Sequence, residues 1–324
     1  MTAQGAQPSQ QTTITAPTAP PIPVRSGPGV AWTEAHPELY ENVKRALSAL
    51  PNHFTSNINI EGIGATDLFS FNSALGTTLE EAVVTSLNQM REVWDPKNAY
   101  QTYRFVRHTQ SFPDVRLEDT TQSSNTSILM GIELKGWFAL AKEGMPSFRY
   151  LVTPLACARQ DLLVVMPWIF SNVISGTPKL LAPFIEEARY AAEMRNYHWQ
   201  NKGKVGSPSN ALEISTHTSP YPKKSDKCSD VASNDSGGNF GRVARTAIMT
   251  PFTSATLETD AAGIPLKYWL QFLKSFTDGA PDERIATALN AIAGEAKKSV
   301  GLSAESERTV LLPFLEALLA AASK

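Results

Sequence analysis

The chain has 324 residues, of which 42% are hydrophobic and 19% charged, and its formal net charge is −2. That length can bury one large core with a helical appendage, and the charge excludes a uniformly basic nucleic-acid binder while leaving a local basic cleft open. Two cysteines, Cys157 and Cys228, exclude a multi-bridge secreted scaffold and a four-cysteine zinc site.

In chain order, residues 1–30 are rich in Gln, Thr and Pro and poor in large apolar groups. Such a segment cannot offset its ordering entropy and is expected to be a disordered tail, so that deleting residues 1–28 should cost neither stability nor activity. No apolar segment follows a charged start, which argues against a signal peptide, and no run reaches the roughly 18 apolar residues of a membrane helix. The expectation is a bacterial-type cytoplasmic protein with no membrane partner.

The body begins near Trp32. Pro37 suits a first helical turn, and Leu39, Val43, Ala46, Leu47 and Leu50 recur at helical spacing. A second helix is predicted from about Leu75 to Val93, with a stripe of Leu75, Leu79, Val83, Leu87 and Met90, ended by Pro96. Strands are predicted near 103–107, 114–118, 127–135, 148–152 and 161–168, with 119–126 as a hairpin loop between the second and third. An amphipathic helix is predicted over 181–199. Residues 201–240 are polar and read as a long exposed loop. From about Gly263 the chain reads as three helices, one marked by Ile285, Leu289 and Ile292, another by Leu311, Leu312, Leu315, Leu318 and Leu319 around Pro313.

The chemistry concentrates in Phe112-Pro113-Asp114-Val115-Arg116 and Gly131-Ile132-Glu133-Leu134-Lys135-Gly136. Side chains alternate along a strand, so Glu133 and Lys135 share one face while Ile132 and Leu134 occupy the other. An acid and an amine on a central strand are costly unless they pair or bind something. A divalent cation and a phosphate satisfy both: carboxylate oxygens hold a hard cation, and a lysine orients or deprotonates water and stabilises charge on phosphorus. A hairpin joining Asp114 to Glu133 brings the two acids across neighbouring strands.

Pro113-Asp114, a spacer, and Glu133-Leu134-Lys135 together resemble the signature of the PD-(D/E)xK nuclease superfamily, and among its members the type II restriction endonucleases. The resemblance covers about two dozen residues. It implies an α/β, restriction-endonuclease-like core: a mixed β-sheet flanked by helices, here with a helical C-terminal region. It also implies Mg2+ held by Asp114 and Glu133, with Lys135 as the catalytic lysine, acting on double-stranded DNA at a specific sequence, and a homodimer. Members often place a further glutamate on the preceding helix. Glu80 lies about 100° and Glu81 about 200° from Leu79 around that helix, so Glu80 is the expected supporting acid.

On this reading residues 1–30 are the tail, 31–200 the nuclease core, 201–262 a polar loop region with possible DNA contacts, and 263–324 the helical region. Arg242 and Arg245 follow a glycine-rich loop and are candidates for phosphate or guanine contacts. Lys202, Lys204, Lys223, Lys224 and Lys227 suit a DNA-contacting loop. No phosphate-binding loop of the nucleotide-hydrolase type is present, so no nucleotide cofactor is expected. The competing readings are a structure-selective repair or recombination nuclease with the same residues, and a non-catalytic DNA-binding or assembly protein.

Overall fold

In the computed structural model, the residues described are 21–62, 71–121, 126–203, 207–275, 281–284, 286–287, 290–292 and 294. Two short helical pieces open the chain, α1 (Val30–Ala35) and α2 (Leu39–His53). The apolar spacing of α2 is used as predicted: Leu39, Val43, Ala46, Leu47 and Leu50 are all buried. Pro37 falls in the turn between the two helices, and Glu38 takes a left-handed conformation there. The next helix, α3 (Phe71–Gln89), breaks at Met90 and continues as α4 (Arg91–Trp94). Leu75, Leu79, Val83, Leu87 and Met90 face the core.

The sheet then forms from β1 (Tyr103–Arg107), β2 (Val115–Asp119) and β3 (Ile128–Phe138), an antiparallel meander. A long crossover leads to β4 (Leu162–Phe170), which runs parallel to β3. Two short strands, β5 (Pro178–Leu180) and β6 (Phe184–Glu187), pair antiparallel with opposite ends of β4. The result is a mixed, six-stranded sheet of order β1-β2-β3-β4-β5, with β6 also on β4. All nine residues of β4 are buried, as expected of a strand covered on both faces. Helix α5 (Ala188–Asn201) follows, then the two-stranded pair β7 (Leu212–Glu213) and β8 (Val231–Ala232). Helix α6 (Thr250–Leu257), the hairpin β9 (Asp260–Ala261) and β10 (Ile264–Pro265), and helix α7 (Leu266–Ser275) complete the named elements.

Helices cover both faces. Met130, Ile132, Leu134 and Phe138 of β3 and Leu162, Val164, Met166 and Trp168 of β4 join the core made with α2, α3, α4 and α7. On the other face Trp137, Leu163 and Val165 pack with Ala188, Ala191 and Ala192 of α5 and with Val243 and Met249. The fold is therefore mixed α/β with a curled sheet between helices.

Several expectations change. Residues 148–152 are not a strand, although Tyr150 and Val152 are buried. Their carbonyls are taken by the Arg195 guanidinium, at 2.6 and 2.9 Å, where a neighbouring strand would otherwise supply donors. The helix predicted from 181 starts only at Ala188, because 184–187 is drawn into the sheet as β6. Residues 207–240 carry only the short β7–β8 pair and a 3-10 turn as regular structure but are docked: Asp230 is fully buried against Arg195 at 2.6 Å and accepts from Ser215 N at 2.9 Å. Of the C-terminal stripes, Ile292 joins the main core, while Ile285, Leu289 and residues 311–319 lie outside the described residues.

The tail also needs correction. Residues 1–20 lie outside the described residues, but 21–30 are tied down. Arg25 forms a two-pronged contact with Glu186 at 2.9 and 2.6 Å, and the backbone N–H groups of Ser26 and Gly27 donate to Glu187. The Glu186 side chain is only 6% exposed. Deleting residues 1–28 strips it of this partner, which costs about 1–2 kcal/mol for a charge-assisted bond that is open to solvent on the arginine side. A fall in Tm of a few degrees is expected in a melting experiment, and an unchanged Tm refutes the docking.

Candidate active site

The site arises where β2 and β3 pair. Val115 is opposite Ile132, so Asp114, at the entrance to β2, lies beside Glu133. The ladder extends past the strand end, with His108 N donating to Asp114 O at 2.7 Å. The Phe112–Pro113 bond is cis. Leu134 N donates to Asp114 Oδ2 at 3.0 Å, and Asp114 N donates to Glu133 Oε2 at 3.3 Å. Each acid is thus held by the backbone of the strand that carries the other.

Lys135 closes the set. Its ammonium lies 2.6 Å from Glu133 Oε1 and 3.3 Å from Asp114 Oδ2. The side chains of Glu133, Lys135 and Asp114 are 12%, 20% and 23% exposed, so the group is sunk into the sheet face but open on one side. A cavity of about 590 Å³ between Arg25, Trp32, Tyr40 and Phe184 shares no residue with it.

Burial first, and then repulsion from Asp114, push the Glu133 carboxyl up to about 7 against the pull of Lys135. Burial alone would lower Lys135, but Glu133 and Asp114 together hold its ammonium above the usual lysine range. The two carboxylates therefore favour the ammonium form of Lys135, a hydrogen-bond donor.

The surroundings fix the two strands. Gly131, two residues before Glu133 on the same face, has no room for a side chain: a Cβ there would meet Pro113 Cγ at 2.2 Å and Asp161 Oδ1 at 3.1 Å. Gly131 N and Ala158 N both donate to the buried Asp161 carboxylate at 2.7 Å. Burial raises that carboxyl to about 6. Arg116, on the Asp114 face, donates to Phe112 O at 2.8 Å and so holds the residue before Pro113-Asp114. The roles of Asp161 and Tyr221, whose hydroxyl also donates to Asp161 at 3.0 Å, were not legible in the sequence, because each depends on contacts across 30 to 60 residues.

The other candidates stand apart from the three. Glu80 is half-buried on α3 and pairs with Arg107 at 3.0 Å; Arg107 is opposite Val115, which shares the core face with Ile132, so the expected supporting acid lies across the sheet from Asp114, Glu133 and Lys135. Glu81 is exposed, as the helical geometry predicts. Glu118 pairs with His108 at 2.9 Å. Arg242 donates to Gly238 O, and Arg245 to the Asn239 side chain, both within their own loop.

Among the described residues no cluster of three or more His, Cys, Asp or Glu side chains could hold a metal ion. Asp114 and Glu133 form a two-carboxylate set of the kind Mg2+ accepts, since that ion keeps waters and takes substrate oxygens for the remaining positions. The Lys135 ammonium between them marks a place where positive charge is favoured. The residues present fit such an ion. No protein family, curated protein or solved structure matches the chain, and no helix among the described residues is long and apolar enough to cross a membrane.

Proposed function

We propose that this chain is a magnesium-dependent endonuclease that hydrolyses phosphodiester bonds of double-stranded DNA. The observation that supports it most is the convergence of Asp114, Glu133 and Lys135, from two adjacent strands, onto one partly open point of the sheet face. A divalent ion on Asp114 and Glu133 supplies charge neutralisation and a more acidic water at the scissile phosphate. The chain's own groups do the rest. Asp114 and Glu133 are each fixed by a backbone N–H and so present oxygens at set positions. Lys135 donates a hydrogen bond to the attacking water or to a non-bridging phosphate oxygen, where negative charge grows. Water adds its oxygen to phosphorus and releases a proton to solvent. The bond to the leaving sugar oxygen breaks, and that oxygen takes up a proton.

The narrower form of the proposal is cleavage at a specific sequence, as in a type II restriction system, by a homodimer matched to a two-fold DNA site. Incubating the purified protein with plasmid DNA and Mg2+ tests it. Discrete fragments support the restriction form, and preference for ends, flaps or junctions moves the reading to a repair nuclease. No cleavage of any DNA in Mg2+ or Mn2+ sinks the nuclease assignment.

Cleavage is expected to vanish in excess chelator and return with Mg2+. Proton and cation compete for Glu133, and the ionised carboxylate binds the cation. Activity at low Mg2+ should therefore rise with pH through a midpoint of about 7 and level off about one unit above it. Higher Mg2+ should move that midpoint downward. A rate that is flat between pH 5 and 8 at low Mg2+ contradicts the role of Glu133.

A further inference from the structure

The polar stretch after α5 contains one part that is fixed beside the site. At its start, Tyr221 donates to Asp161 Oδ1 at 3.0 Å, and its ring lies 5.7 Å from the Arg116 guanidinium. Arg116 also donates to Pro222 O at 3.4 Å. At its end, Cys228 O accepts from Thr153 N at 2.7 Å. The first anchor touches Arg116 and, through Asp161, Gly131. Each of these is two residues along a strand from Asp114 or Glu133, about 7 Å away on the same face. The second anchor agrees: Cys228 packs against the cluster that contains Phe112, two residues before Asp114, and Trp137, two residues after Lys135.

Between the anchors lie Lys223, Lys224 and Lys227, all exposed. None of the three ammonium groups has a hydrogen-bond or ion-pair partner among the described residues, in contrast to Lys44, Lys97 and Lys267, which are paired. The loop's single acid, Asp226, is turned inward: it accepts from Lys223 N at 2.8 Å and from the Ser225 hydroxyl at 3.3 Å, closing the turn. Net positive charge is left facing outward, on a chain whose overall charge is negative. Lys202 differs, with its ammonium over the Trp199 ring.

We propose that residues 221–228 form a loop anchored at both ends beside the Asp114–Glu133–Lys135 site, whose Lys223, Lys224 and Lys227 bind the phosphodiester backbone of DNA next to the bond that is cut. This rests on the nuclease reading for the cut itself, but the lysine surface is tested without it. Tyr221 is a positioning residue: it holds the loop and does not touch the reacting atoms.

The test uses full-length protein and a fluorescein-labelled 20-base-pair DNA duplex, with binding measured by anisotropy in chelator across a range of salt concentrations. Each phosphate contact contributes roughly 0.9 to the slope of log affinity against log salt. The variant K223Q/K224Q/K227Q is therefore expected to lose between two and three units of slope and to bind at least tenfold more weakly near 0.1 M salt. An unchanged slope overturns the proposal. So does failure of the wild-type protein to bind the duplex at low salt, or tighter binding of an RNA duplex of the same sequence. Wild-type cleavage in Mg2+ combined with an unchanged slope removes the loop and keeps the nuclease. A lysine-dependent slope with no cleavage removes the nuclease and keeps the surface. In a second arm, Tyr221→Phe should speed trypsin cleavage after Lys223 and Lys224 severalfold, read by mass spectrometry, with little change in Tm. Equal cleavage rates refute the anchor.

Discussion

Lys135→Ala is expected to lower DNA hydrolysis by about 10²–10⁴-fold, the range associated with losing one positioned proton-bearing group in a transition state. The reason is local. The ammonium touches both carboxylates and is held in its charged form by them, so on the proposed nuclease reading it is a fixed donor beside the phosphate. The same substitution should leave DNA affinity nearly unchanged, because the contact develops in the transition state rather than in the bound complex. Single-turnover cleavage with saturating Mg2+, beside a binding isotherm, separates the two quantities. A rate within tenfold of wild type rules Lys135 out of the reaction. An equal loss in binding and rate assigns it to substrate anchoring instead.

The second large effect concerns stability. Arg195 is 2% exposed and Asp230 fully buried. The guanidinium uses its donors on Tyr150 O, Val152 O, Asn196 Oδ1 and Asp230 Oδ2, while Asp230 also accepts from Asn196 Nδ2 and Ser215 N. Arg195→Met leaves a buried carboxylate with no opposing charge and two backbone carbonyls without a donor. The expected loss is about 3–5 kcal/mol, or a fall in Tm on the order of 10 °C. Asp230→Asn should cost less, because an amide keeps part of the hydrogen bonding. Denaturant unfolding of both variants checks the order. An Arg195→Met protein within 1 kcal/mol of wild type shows that the pair is not what docks residues 207–240.

These residues also explain which parts of the molecule were legible in the sequence. Helix α2 and strands β1 to β4 fall within a few residues of their predicted positions, because each carries a period of its own: 3.6 along Leu39 to Leu50, two along Ile128 to Leu134. The meeting of Asp114 with Glu133 and Lys135 was legible for a related reason, since a single hairpin brings them together. Order imposed from a distance was not legible. Residues 148–152 have a strand's apolar residues, but Arg195, more than 40 positions away, takes their carbonyls. Arg25 in a proline-rich tail has no local reason to be ordered and finds one in Glu186 and the Tyr190 ring, more than 160 positions away. Asp161, an ordinary acid at a strand start, acquires its role from Gly131 and Tyr221.

Gly131 carries a lesson for anyone tracing this site through descent. Positions 113 and 131 fit as peg and socket, with the proline ring filling the space that any side chain at 131 would need. A descendant bearing alanine there keeps every letter of Pro-Asp and Glu-x-Lys, yet its two strands can no longer close to the same spacing. A pattern that scores only the acids and the lysine would not register the difference. The letter without a functional group, Gly131, is as much a part of the arrangement of Asp114, Glu133 and Lys135 as the acids themselves.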